Sequence, residues 1–168
     1  MELTDSMEVS ELLLQFSEIA VAFTGFSGVV AALGRNITWD EKAVFRFQNL
    51  LSISISTVFL ALIPLGMLTY EIAPSIVWLI SSMMMIALTL VFFFLRSPIA
   101  RRLSEDDLTT RSVGLTFLSG TVVVLVTQVL GLIGIWDNSA VYFTGLLIYL
   151  FLSALQFAVL SMGAIKNE

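Results

Sequence analysis

The chain contains no cysteine and no histidine. Disulfides, zinc centres of the Cys/His type, thiol nucleophiles and imidazole bases are therefore excluded. Charge is scarce as well: 12% of the residues are Asp, Glu, Lys or Arg, against about 25% in soluble globular domains. Basic residues are the scarcer sign, 8 against 13 acidic, for a net charge of −5. That balance gives no support for a nucleic-acid partner. Pro/Gly/Ser stretches are too short to act as linkers, and no internal repeat is visible. The segment MELTDSMEVSE holds no Lys or Arg, so it does not read as the basic region of a cleaved signal peptide.

What the chain does have is apolar surface. Hydrophobic residues make up 58% of its 168 positions. The mean hydropathy is +0.98. Charges fall in short patches between long apolar runs, the pattern of a protein that crosses a membrane several times. A span needs about 20 helical residues. Five runs reach that length, at 12–33, 50–69, 76–95, 113–135 and 140–164. The expected fold is an all-α polytopic transmembrane bundle forming a single domain. An alternative has four spans plus an interfacial or re-entrant first helix, because the first run contains Gln15 and Glu18.

Boundary signals agree with this division. Thr38-Trp39-Asp40-Glu41 has the form of a capping box, which would start the second helix near Trp39. Pro74 precedes the third run, where its missing N–H costs nothing. Ser104 with Asp107 offers a cap ahead of the fourth. Asp137-Asn138-Ser139 reads as a tight turn between the last two. Pro64 would kink the second helix and deprive the carbonyl near Leu60 of its donor.

With five spans, all 8 basic residues fall on the side of 34–49, 96–112 and the C-terminus. The opposite side carries Glu2, Asp5, Glu8, Glu11, Glu71 and Asp137. The positive-inside rule then places the N-terminus outside, the C-terminus inside, and 34–49 and 96–112 as cytoplasmic loops of a plasma-membrane protein. Tyr70, Trp78, Trp136 and Tyr142 would form the outer aromatic belt, and Trp39 the inner one. Arg35, Arg96, Arg101 and Arg102 most simply enforce topology, and could also meet anionic lipid headgroups.

The first run divides into three helical faces. Glu11, Gln15, Glu18, Ala22, Gly25 and Val29 form one stripe. Ser17, Ala20, Thr24, Ser27, Gly28 and Ala31 form a small-residue face suited to close packing. Phe16, Ile19, Phe23, Phe26 and Val30 form a bulky face suited to lipid. Two non-lipid faces would place this helix at the centre of the bundle or on an oligomer axis. Glu18 lies about 10 Å beyond Glu11 along a helix. An ionised carboxylate there must be neutralised, paired or water-facing, and no basic residue lies in any of the five runs. Gln128, Ser81 and Ser82 should reach a similar depth. One reading has Glu18 hydrogen-bonded to Gln128 as packing glue. The other makes Glu11, Gln15, Glu18, Gln128, Ser81 and Ser82 a cation or proton path.

Weaker polar faces are Asn49, Ser52 and Ser56 on the second helix and Tyr142, Tyr149, Ser153 and Gln156 on the fifth. They most simply bond between helices. Gly131 and Gly134, with Ala20, Thr24 and Gly28, read as close-packing positions. Met83-Met84-Met85 reads as adaptable packing.

The stretch 24–35 (TGFSGVVAALGR), followed by Trp39, Arg46-Phe47 and a Leu-rich second helix, resembles a group of small, functionally uncharacterised prokaryotic multi-spanning membrane proteins. Ala154-Leu155-Gln156-Phe157 fits the same resemblance, which covers most of the chain. It implies a bacterial or archaeal plasma membrane and no particular activity.

The sequence points first to a homo-oligomeric channel or pore for cations or protons, lined by the first helix. A non-catalytic accessory subunit of a larger membrane complex comes second and a small transporter third. Neither an enzyme nor a cofactor or metal is expected. The lipid bilayer and a second copy of the chain are the expected partners.

Overall fold

The computed structural model describes residues 3–33, 40–70, 72–103 and 108–166. The described residues are all-α and form five helices: α1 (Leu3–Leu33), α2 (Glu41–Thr69), α3 (Pro74–Leu103), α4 (Leu108–Leu132) and α5 (Asn138–Lys166). Each contains a stretch long and apolar enough to cross a membrane, from Glu8–Val29 in α1 to Asn138–Met162 in α5. α1 is one unbroken helix of 31 residues, about 46 Å long at 1.5 Å per residue. A re-entrant first segment is therefore not what the chain forms.

Helix ends depart from the apolar runs for local reasons. The N-cap of α2 is Asp40, whose carboxylate accepts from the Ala43 N–H at 2.7 Å. Thr38 and Trp39 lie outside the described residues. α2 continues through the buried Pro64 to Thr69. α3 begins at Pro74 and runs on through Pro98 to Leu103. Residues 41–49, 96–103 and 108–112 are thus helical, because a helix need not stop where the hydrocarbon does. Ser104 and Asp107 lie outside the described residues.

α4 ends earlier than its apolar run, at Leu132. Gly134 follows in the left-handed region, with φ +76°. The Gly134 and Ile135 N–H groups bond back to Gly131 O at 2.9 Å and Leu130 O at 3.0 Å. This closes the helix as a glycine C-cap. Gly134 is therefore a cap and not a packing position: a Cβ there would meet nothing within 4 Å. Asp137 caps α5 by accepting from Ala140 N at 3.0 Å and from the Ser139 hydroxyl.

The chain divides into two compact units. The first comprises residues up to 71 with 149–168, so α1 and α2 join the second part of α5. α1 packs along α2, and Phe157 of α5 lies 6.2 Å from Phe23 and 6.1 Å from Phe26 by ring centroids. The second unit comprises 72–148, in which α3, α4 and the first part of α5 pack together. Trp78 sits 5.8 Å from both Tyr142 and Phe143. Trp78 and Tyr142 are buried, so they pack between helices and are not belt residues, whereas Tyr70 and Trp136 are exposed.

Candidate functional site

Burial sorts the polar residues into two groups. Along α1, Leu13, Phe16, Ser17, Ala20 and Ser27 are buried. They recur at spacings of three and four, so α1 buries one face. That face contains much of the small-residue set, with Thr24 half-buried and bonding back to Ala20 O at 3.0 Å. Phe16 belongs to the packed face and not to lipid. Gly28 is exposed, with open space around a Cβ, so it does not pack within the chain. Glu11, Gln15, Glu18, Ala22, Gly25 and Val29 are all exposed. The one-sided burial leaves the polar stripe uncovered by the other helices of the first unit. From Glu11 to Val29 it runs about 27 Å, close to the thickness of a hydrocarbon core of about 30 Å.

The second group is internal. Gln128, Ser81 and Ser82 are almost completely buried, at 0%, 1% and 0% exposure. The Gln128 Nε2 donates to Val141 O at 2.8 Å. That nitrogen is thus spent inside the α4–α5 hairpin. The Oε1 of Gln128 and the hydroxyl oxygens of Ser81 and Ser82 have no partner. The six residues of the expected ion path are therefore three exposed ones on α1 and three buried ones in the second unit.

Close approaches set up this interior. A Cβ on Gly131 would lie 2.5 Å from Val141 Cγ2 and 2.7 Å from Asn138 Oδ1. A Cβ on Gly145 would collide with Met85 Sδ and stand 2.9 Å from Gln128 Nε2. Gly131 is the packing glycine the sequence suggested. Gly145 and Val141 were not singled out, and Asn138 was read only as part of a turn. Gly145 lies on the helical face of Tyr142 and Tyr149, which would have been the available signal.

The first unit has its own internal polar set. Asn49, Ser54, Thr57, Tyr149, Ser153 and Gln156 are buried. The oxygens Ser54 Oγ, Ser153 Oγ and Gln156 Oε1 are unpartnered. This bears out a shared inward face for Tyr142, Tyr149, Ser153 and Gln156. Of the arginines, Arg96 is half-buried and Arg102 exposed. Arg35 lies outside the described residues, as does the side chain of Arg101. Among the described residues, no group of three or more His, Cys, Asp or Glu is placed to hold a metal.

No protein-family model, curated protein or solved structure matches this chain. Its class therefore rests on the helices themselves. With five helices able to span a bilayer, it is a multi-pass α-helical membrane protein.

Proposed function

We propose that the protein is a small homo-oligomeric membrane pore for cations or protons, in which α1 lines the shared axis. The observation that carries this reading is the exposure of Glu11, Gln15 and Glu18 along one side of α1. A carboxylate facing hydrocarbon is costly, and polar groups at membrane depth face protein or water. The stripe therefore needs a cover of protein or water. A second copy supplies it under closed cyclic symmetry, which brings the same stripe to the axis from every subunit. Ala22 and Gly25 continue the stripe with small side chains that let helices approach. Beyond them the axis narrows to apolar contact at Val29.

The reading takes the N-terminus as outside, the C-terminus as cytoplasmic, and the membrane as a prokaryotic plasma membrane. Glu2, Asp5, Glu8 and Glu11 then gather cations at the outer mouth. The protein's work is conduction, with no catalytic step.

The absence of native cysteine makes the test direct. A single Ala22→Cys variant in native membranes should form a disulfide-linked dimer on mild oxidation, because equivalent positions meet near a symmetry axis. Phe59→Cys on the exposed face of α2 should not. Crosslinking at Phe59 but not at Ala22 would remove α1 from the axis. It would leave the stripe to a different subunit, as an accessory role requires.

A further inference from the structure

Ser81 and Ser82 of the second unit, like Ser54 and Ser153 of the first, lack the bond that other buried hydroxyls make. Thr89 and Thr127 bond back to Met85 O at 2.6 Å and Val124 O at 3.0 Å. In the first unit Thr57 and Ser27 do the same, to Ile53 O at 2.9 Å and Thr24 O at 2.6 Å. That is the ordinary way a hydroxyl is satisfied inside a membrane helix. Ser81 and Ser82 are as deeply buried, yet their oxygens take no such bond. Asn138 Oδ1 and Gln128 Oε1 are also buried without a partner.

Contacts at Gly145 and Gly131 tie together the helices that carry these atoms. The Gln128 amide and the Met85 side chain meet at Gly145, where a Cβ would touch both. Ser81 and Ser82 lie one turn before Met85 on the buried face of α3, which also carries Val77 and Trp78. Helical side chains lean toward the N-terminus, so Met85 reaches back over that turn. Asn138 Oδ1 stands beside Gly131, one turn from Gln128 toward the α4–α5 turn. The orientation of the Gln128 amide is chemically fixed. Val141 O can only accept, so the nitrogen must face it and the oxygen is left for the cluster. The unpartnered side-chain atoms of these four residues are thus all oxygens.

We propose that this oxygen cluster binds a monovalent alkali cation, held by Gln128 Oε1 and the Ser81 and Ser82 hydroxyl oxygens, with Asn138 Oδ1 at its entrance. Neutral oxygens replace a hydration shell, as backbone carbonyls do in ion-selective filters. The absence of a carboxylate among these ligands disfavours calcium or magnesium, whose sites draw on Asp and Glu. Asp137, next to Asn138, supplies negative charge at the entrance. Its carboxyl is held below the usual carboxylate range, first by the Ser139 hydroxyl and then by the Ala140 N–H. The cluster lies in the unit that does not contain α1. The inference therefore stands apart from the pore reading.

The test is thermal unfolding of the full-length protein in nanodiscs, in sodium, potassium, lithium or choline chloride at matched ionic strength. A ligand that binds only the folded state raises its stability with concentration. At least one alkali ion should raise Tm by a few degrees relative to choline, along a saturating curve. Ser82→Ala removes a small hydroxyl from a buried site, so it should fold and lose most of that rise. Ser119→Ala, at an exposed hydroxyl bonded to Thr116 O, should keep it. Equal Tm in all four salts would overturn the proposal and assign the oxygens to buried water. So would an alkali effect of the same size in Ser82→Ala. Loss of liposome flux in a Glu18 variant bears only on the α1 path and leaves this readout unchanged.

Discussion

Gln128 reaches across the α4–α5 hairpin to bond the backbone oxygen of Val141 at 2.8 Å, and both residues are buried. The bond joins two helices near the turn that connects them. A side-chain bond between membrane helices contributes about 0.6 kcal/mol on average, up to about 1.7. Gln128→Leu should therefore destabilise the protein by about 1 kcal/mol while leaving helix content unchanged. Thermal unfolding with circular dichroism checks both.

Gly131→Ala should be more disruptive. Its new methyl would lie 2.5 Å from Val141 Cγ2, and overpacking of this kind costs about 1–3 kcal/mol. Gly66→Ala is the matched control, since a Cβ there meets nothing within 4 Å. In a helix interior that change should be neutral or stabilising by up to about 1 kcal/mol. Unfolding midpoints of the two variants should move in opposite directions or differ by several degrees.

Gly134→Ala tests the cap. Any side chain there must adopt φ +76°, which costs about 1–2 kcal/mol. Space is not the issue, so the loss should be the same for Ala and Ser. Asn, which tolerates the left-handed region, should recover part of it. Unfolding midpoints of the three variants give that order.

Asp137 ties stability to pH. Its carboxyl is lowered by the Ser139 hydroxyl and the Ala140 N–H. A depressed acid contributes stability above its unfolded value, and loses it as pH falls through the folded value. The contribution should be complete at neutral pH and fade below about pH 4. Asp137→Ala should lower stability by about 1 kcal/mol at pH 7, as loss of an N-cap does. The gap to wild type should close in acid, which unfolding midpoints at both pH values will show.

The number and type of elements were legible in the sequence because each helix carries its own apolar run. The division of α1 into faces was legible too, since Ser17, Ala20 and Ser27 share one side by spacing alone. The start of α2 was misplaced, because Asp40 and Thr38 are both good caps and the choice depends on the local backbone. The partner of Gln128 was not legible. Its bond to Val141 depends on the register of the α4–α5 hairpin, which is set by the glycine cap at Gly134. Gly145 was missed for the same reason: its role exists only once Met85 and Gln128 arrive from two other helices. Phe16, bulky and apolar, looked suited to lipid, but whether such a residue meets lipid or a neighbouring helix depends on which face is covered.

A conducting path lined by α1 and Glu18 should carry cations or protons into liposomes that hold the purified protein, and a flux comparison of wild type with Glu18→Gln reads it. Gln is nearly isosteric and keeps a hydrogen-bonding group, so incorporation and oligomeric mass should be preserved while the carboxylate is lost. The predicted result is wild-type flux well above that of protein-free vesicles, and a changed rate in the variant at equal incorporation. Flux no greater than in empty vesicles at any pH or voltage, or flux that Glu18→Gln leaves untouched, would contradict it.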